Sequence, residues 1–522
     1  MLNVSSILET NAREFPDKTA IIAGDWRLTY NELNEAANQV ANGLCAAGIR
    51  KGEKVAFTCP TNPFFPICYY GIMKTGAVAV PLNPLFKRDE VSYRLSDFDC
   101  VAYICFEGTE KLPMGREGWV AFEEVTACKD FWLIPTGTEG RSLLSDTKTW
   151  SDLTEGQPVT FDTLQTQGDD TCCIIYTSGT SGRPKGAEWS HTSFLTNALL
   201  FRDHLRFNPD DTALIAMPLF HLFGQSGMMN PALCAGSTLV LLPRFEPGKV
   251  WPAIQYHNVT VYAGVPTMYW NLYNYPDLDS LDLVKISKNW RVGICGGAPL
   301  PVELLENFQN RFNMLILQAY GTSEVSPAAS NRFGKAQKPG SVGFPMWGAA
   351  MRLVDEGMKD VPVGERGEIV FRGHNVMKGY YKKPEANKEA FRGGWFHTGD
   401  IGTIDEDGYL YLVDRKKDVI IRGGENIYPS EVEETLMRHP DISLAAVIGI
   451  PDEKYGEQVK AYVILENGST LTPEEIIAWA RQQMAAYAYP RYVEIRDSLP
   501  LGGTSKVLKS ELRKSHASTA RK

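Results

Sequence analysis

The chain has 522 residues, of which 43% are hydrophobic and 22% charged, with a formal net charge of −9 at pH 7. That balance argues against a dominant nucleic-acid-binding surface, and at about 150 residues per domain the length accommodates roughly three units. The ten cysteines are scattered with no CxxC pair, which suits reduced, buried thiols better than a zinc site or a disulfide framework.

No run of about eighteen apolar residues offers a transmembrane segment. Glu9, Arg13, Glu14, Asp17 and Lys18 precede any long apolar run, unlike a secretory signal. A cytoplasmic protein is therefore expected. Apolar runs at residues 55–58, 77–81 and 101–105 alternate with amphipathic helical segments, a pattern of layered α/β architecture with largely parallel sheets.

The next apolar run, Cys172, Cys173, Ile174 and Ile175, empties into Tyr176-Thr177-Ser178-Gly179-Thr180-Ser181-Gly182-Arg183-Pro184-Lys185-Gly186. Flexible backbone, N–H donors and hydroxyls after a buried strand suit a bound polyanion. The spacing is not that of a Walker loop: only two residues separate Gly179 from Gly182, and Lys185 follows Arg183 and Pro184.

Downstream come Pro218-Leu219-Phe220-His221-Leu222-Phe223-Gly224, then Val261-Tyr262-Ala263-Gly264-Val265-Pro266, Gly296-Gly297-Ala298 and Tyr320-Gly321-Thr322-Ser323-Glu324. Around Gln337 the texture changes to shorter strand candidates at 350–354, 367–372 and 409–413, with Asp407-Gly408 as a hairpin turn, which reads as a small β subdomain. Gly394-Trp395-Phe396-His397-Thr398-Gly399-Asp400 ends in a carboxylate. Asp414-Arg415-Lys416-Lys417-Asp418 leads to Gly423-Gly424-Glu425-Asn426. Beyond it, Ser430-Glu431-Val432-Glu433 and Thr472-Pro473-Glu474-Glu475 read as capping boxes, and 445–450 and 460–465 as strands of a small α+β domain.

In this order the motifs resemble the signatures of the adenylate-forming superfamily, which contains acyl-CoA synthetases, nonribosomal-peptide adenylation domains and beetle luciferases. The likeness covers nearly the whole chain and is greatest to a fatty-acid:CoA ligase. It implies a large N-terminal AMP-binding domain, residues 1–414, with layered sheets and a small β-barrel-like part. A mobile α+β C-terminal domain, residues 415–522, would be hinged near Lys417.

The implied chemistry is carboxylate activation by ATP with Mg²⁺, followed by acyl transfer to coenzyme A. A carboxylate is a poor electrophile, and replacing its oxygen with AMP makes transfer possible. Thr177, Ser178, Gly179, Thr180, Ser181 and Gly182 would cradle the β- and γ-phosphates with Lys185 as a mobile cation. Glu324, with Thr177, would hold the metal. Tyr320 would stack on adenine, flanked by Gly297, Ala298, Gly321, Thr322 and Ser323. Asp400 would accept the ribose hydroxyls and Arg415 hold the same nucleotide. In Thr504-Ser505-Lys506-Val507-Leu508-Lys509, Lys506 would meet the carboxylate and the bridging phosphate oxygen.

Gly423 and Gly424 would leave room for a pantetheine arm. His221 would gate the carboxylate, with Phe223, Gly264, Val265, Gly296, Gly297 and Gly321 around the acyl group. Two residues depart from the family pattern: Ser505 replaces Gly, and Ala488 stands where relatives often carry Lys. The 218–224 segment has no carboxylate to pair with an amino group, and Gly321 replaces the Trp that shortens acetate pockets. A medium- or long-chain fatty acid is thus the first expectation for the acid and an aryl acid the alternative. An acyl carrier protein is the alternative acceptor. Lys185, Glu324, Asp400, Arg415 and Lys506 together oppose a nonenzymatic nucleotide-binding scaffold.

Overall fold

The computed structural model describes residues 2–136, 144, 147–177, 184–466, 468–500 and 507–519. They form two compact units. The first comprises Met1–Gln337, Pro345–Ala350 and Phe371–Phe396, and the second Lys338–Phe344, Met351–Val370 and His397–Lys522.

Two mostly parallel sheets organise the first unit. One runs in the order Trp26–Thr29, Thr19–Ala23, Thr238–Leu241, Thr212–Ile215, Val261–Gly264, Val292–Gly296, Leu315–Tyr320 and Ala329–Ser330, with antiparallel pairs only at its two ends. The other places Lys54–Thr58 between Val78–Leu82 and Cys100–Phe106, all parallel, then continues through Thr171–Thr177 to the antiparallel strands Lys185–Ser190 and Gly379–Tyr380.

The strands Val261–Gly264 and Val292–Gly296 are buried throughout, which explains their unbroken apolar sequence: helices cover a parallel sheet on both faces. Against one face pack Trp251, Tyr262, Tyr269, Trp290, Phe308 and Phe312. Edge-to-face contacts such as Tyr262–Trp290 (5.6 Å) and Tyr269–Phe308 (5.2 Å) give that core a specific geometry. The expected strands at 55–58, 77–81 and 101–105 are thus present, each shifted or lengthened by a residue or so.

Most of the second unit's first strands follow the order Ala350–Val354, Gly367–Arg372, Phe396–Ile404, Leu410–Arg415 and Ser341–Pro345, with Leu410–Arg415 antiparallel to both its neighbours. The Asp407-Gly408 turn forms at residues 405–409. Gly408 has φ +84°, its N–H reaches the Asp405 carbonyl (2.9 Å), and the Asp405 carboxylate accepts from the backbone of Asp407 (3.0 Å) and Tyr409 (2.9 Å). A second sheet pairs Ile442–Asp452 with Gly456–Leu465. Its alternation divides two cores. Ala445 and Val447 meet the helices Pro429–Met437 and Pro473–Gln483, whereas Ala446, Ile448 and Ile450 meet Leu512 of Lys509–Thr519.

Thr472 and Glu475 form the expected capping box. The one expected at Ser430 does not form. Pro429 already occupies the first helical turn, and the helix entry is held by tertiary partners. The Ser430 N–H donates to the Asp414 carboxylate (2.8 Å) and its hydroxyl to the Val413 carbonyl. Glu433 instead accepts the Val447 N–H (2.7 Å) and pairs with the Lys509 ammonium (2.8 Å).

All ten cysteines are free thiols, most of them buried. Among the described residues no helix is long and apolar enough to cross a membrane. A buried and a half-buried imidazole make stability pH-dependent. His191 accepts the Val4 N–H at Nδ1 (3.1 Å), His204 contacts the Ser330 hydroxyl (3.0 Å), and burial lowers each pKa to about 4.

The unfolded chain therefore takes up these protons first, from about pH 6.5. Stability is fully present above that pH and is expected to fall progressively toward pH 4. Chemical denaturation at stepped pH checks this, and a midpoint independent of pH between 6.5 and 4 contradicts it.

Candidate functional site

Thr177 and Lys185 are register partners in an antiparallel strand pair. Ser178, Gly179, Thr180, Ser181 and Gly182 lie outside the described residues. Thr177 is buried, and the Lys185 ammonium sits 4.6 Å from the centroid of the Tyr380 ring. The Tyr380 phenol donates to a Glu324 carboxylate oxygen (2.9 Å), while the Glu324 carbonyl accepts the Met377 N–H (2.8 Å).

Trp189, buried in the strand that begins at Lys185, donates from its indole to the Ser323 carbonyl (3.1 Å). Thr322 closes the tight turn, its hydroxyl accepting the N–H groups of Glu324 (3.1 Å) and Val325 (3.3 Å). Tyr320 ends its strand as a buried ring 6.3 Å from Phe371. Separate stretches of sequence thereby bring Lys185 and Glu324 together through Tyr380, with Thr177 opposite Lys185, while the Tyr320 ring lies beside Phe371.

The Glu324 carboxylate and the Thr177 hydroxyl are hard oxygen donors. They fit Mg²⁺, which takes one or two carboxylates together with substrate phosphates and water. No group of three His, Cys, Asp or Glu side chains that could hold a metal ion occurs among the described residues.

His221 caps a helix of three segments, Leu222–Gly224, a π-helical turn Gln225–Met229, and Asn230–Cys234. A π turn within a helix is characteristic of functional sites. The His221 ring lies 4.4 Å from that of Phe220 and is half-buried. Phe223 leans over Gly296, where even a Cβ would come within 3.5 Å of its ring.

Gly264 and Gly296 occupy opposite faces of the sheet: Gly264 pairs with Cys295, and its missing side chain points toward Tyr262 and Met268 in the aromatic core. Gly297 has φ +88°, Ala298 is exposed and Val265 is buried just before the helix Pro266–Tyr273. A Cβ at Gly321 would stand 3.0 Å from the Val325 carbonyl oxygen, which keeps this position small.

In the second unit Asp400 and Arg415 are cross-strand partners, with the guanidinium 3.3 Å from the carboxylate. The Asp400 side chain is 11% exposed and its N–H is held by the Thr398 hydroxyl (3.0 Å). Lys416 and His397 converge on buried Glu368 at 3.5 and 3.3 Å. Lys417 sits in the turn after the strand Leu410–Arg415. Burial lowers its pKa, helped by Arg415 and Arg513.

Gly423 and Gly424 are the two central residues of a hairpin joining Ile420–Arg422 to Glu425–Ile427, with φ +60° and +91°. Both angles are positive, as in a type I′ turn, whose centre favours glycine or asparagine. Ala488 packs partly buried against the apolar core of this domain. Lys506 lies outside the described residues; Lys509 is committed to Glu433, whose burial raises its pKa against the lowering effect of that ammonium.

Sequence reasoning missed Tyr380, Trp189 and the Glu368 cluster. A Gly-Tyr-Tyr-Lys-Lys run at 379–383 carries no periodicity, and its contacts to Lys185 and Glu324 are made only by folding. Comparison with known proteins gives the chain's relationships. The AMP-binding enzyme family model matches residues 8–381, and the model for the AMP-binding enzyme C-terminal domain matches residues 431–506.

Feruloyl-CoA synthase of an Amycolatopsis species is 38% identical over 505 residues, 96% of this chain and 97% of that protein. A long-chain-fatty-acid–CoA ligase of Bacillus subtilis (strain 168) is 35% identical over 531 residues, covering 98% of this chain and 94% of that protein. The structure of the anthranilate CoA ligase AuaEII in complex with anthranoyl-AMP superposes with a TM-score of 0.90 at 30% identity, covering 100% of this chain and 98% of that one.

Proposed function

Because the chain belongs to the AMP-binding enzyme family and is an AMP-forming acid–thiol ligase, we propose that it activates an aryl carboxylic acid and transfers the acyl group to coenzyme A. A carboxylate oxygen attacks the α-phosphorus of ATP and expels pyrophosphate. The CoA thiol then adds to the acyl carbonyl, its proton is lost and the acyl–oxygen bond to AMP breaks.

Thr177, the loop after it and Lys185 hold the triphosphate. Tyr320, Thr322 and Ser323 meet the base and phosphate, and Asp400 with Arg415 takes the ribose. Lys506 stabilises charge at the α-phosphate. Mg²⁺, held by Glu324 and Thr177, supplies charge neutralisation on the phosphates.

The observation that carries the aryl reading is Phe223 beside Gly296: its ring stands against the space a side chain at 296 would take, which sets an aromatic wall at the expected acyl site. The likeness to feruloyl-CoA synthase supports it, as does the fit to the anthranilate ligase. This moves the emphasis from the fatty acid favoured by the sequence motifs, which the Bacillus ligase keeps as the second reading.

Hydroxycinnamate, benzoate, anthranilate and fatty acids of graded length, supplied with ATP, Mg²⁺ and either CoA or a phosphopantetheinyl carrier protein, separate the readings. The expected result is the highest kcat/KM for an aryl acid with CoA as acceptor. A kcat/KM rising steadily with alkyl length overturns it, and transfer to the carrier protein alone overturns the CoA assignment.

The turn at Gly423-Gly424 gives a separable prediction. Gly424→Ala should lose about 1–2 kcal/mol of stability because alanine resists a positive φ. Gly424→Asn, tolerated in that conformation, should retain the fold yet raise the KM for CoA. If CoA handling is unchanged in Gly424→Asn, the glycine serves the turn alone.

A further inference from the structure

We propose that Tyr380 is a positioning residue that orients Glu324 and parks Lys185, coupling the metal-holding carboxylate to the phosphate-loop cation. The inference rests on the reading of Glu324 as the Mg²⁺ ligand and Lys185 as the phosphate cation. The three residues come from separate stretches and meet because the strand Gly379–Tyr380 pairs with the strand that Lys185 begins, Gly379 opposite Glu188 and Tyr380 opposite Ala187. The Tyr380 phenol can only donate to a carboxylate, which accepts alone.

That donor takes one oxygen of Glu324 at 2.9 Å and so fixes the carboxylate, as second-layer partners of metal ligands do. The same ring offers its π face to the Lys185 ammonium at 4.6 Å. The segment is itself fastened. Asp99 accepts from the Tyr381 phenol (2.8 Å) and Lys382 (2.6 Å), and Asp97 accepts from Lys383 (2.8 Å) and from the phenol of Tyr176 (3.3 Å), next to Thr177. Tyr380 therefore stands on a braced strand, as a residue that sets geometry must.

The full chain carrying Tyr380→Phe, Tyr380→Leu, Glu324→Gln or the Tyr380→Phe/Glu324→Gln pair tests this. Calorimetry measures ATP binding with and without Mg²⁺, and ATP–pyrophosphate exchange measures the Mg²⁺ requirement. Tyr380→Phe keeps the ring, so affinity for metal-free ATP should hold, while the half-saturating Mg²⁺ concentration rises about tenfold, the scale of losing a second-layer partner. Tyr380→Leu should also weaken metal-free ATP binding.

Tyr380→Phe should add nothing in the Glu324→Gln background. Additive losses, or an unchanged Mg²⁺ requirement in Tyr380→Phe while Glu324→Gln is impaired, overturn the proposal alone. An unchanged Mg²⁺ requirement in Glu324→Gln overturns the underlying reading of Glu324 and the proposal with it.

Discussion

Lys506→Ala slows acyl-adenylate formation roughly a hundredfold or more, while thioester formation from preformed acyl-AMP stays near its original rate; this is the expected result of removing a cation from the point where two anions react. Adenylation drives a carboxylate against an α-phosphate, and losing one charged transition-state contact costs on the order of 3 kcal/mol. Thioester formation starts from an adenylate whose acyl group has already lost its charge. The cation has less to stabilise in that step.

The measurement is rapid-quench adenylation beside single-turnover transfer from supplied acyl-AMP. Equal losses in both contradict the assignment. Lys509 is the control, because its ammonium is tied to Glu433 at 2.8 Å and its loss should act on stability first.

Asp400→Ala is expected to impair both halves through nucleotide affinity. The carboxylate is 11% exposed and faces Arg415 at 3.3 Å, an arrangement that fixes an acceptor for ribose hydroxyls. Hydrogen bonds to a charged group are worth about 1.5–3 kcal/mol, so ATP and AMP affinity should both fall about tenfold to a hundredfold. Deoxyribose nucleotides provide the check: they should bind the native protein more weakly than the ribose forms and bind Asp400→Ala equally to them. A persistent preference for ribose in the variant removes Asp400 from the role.

Much of the fold was legible because its strands are unbroken apolar runs bounded by turn residues. The runs at 55–58 and 445–450 show this: burial leaves Thr58 as the one polar side chain in the two runs. The switch of texture near Gln337 also matches a physical change, since the second unit begins at Lys338. Local rules worked where partners were local, as at Thr472 with Glu475. They failed at Ser430, where Asp414 and Val413 provide the partners and free Glu433 for Lys509.

The candidate site divides in the same way. Asp400 and Arg415 stand in one β hairpin, so their spacing in sequence carries their pairing in space. Tyr380 is 56 residues beyond Glu324, and nothing short of the strand pairing with Lys185–Ser190 discloses the contact. Gly423-Gly424 is expected to leave room for a pantetheine arm, and the positive φ angles add that the turn by itself favours glycine.

The most direct test of the central claim is the identity of the products from one turnover with γ- and α-labelled ATP, Mg²⁺, an aryl acid and CoA. Adenylation followed by thiol transfer predicts one pyrophosphate, one AMP and one acyl-CoA per acid consumed, with acyl-AMP accumulating when CoA is withheld. ADP and orthophosphate in place of AMP and pyrophosphate would contradict it.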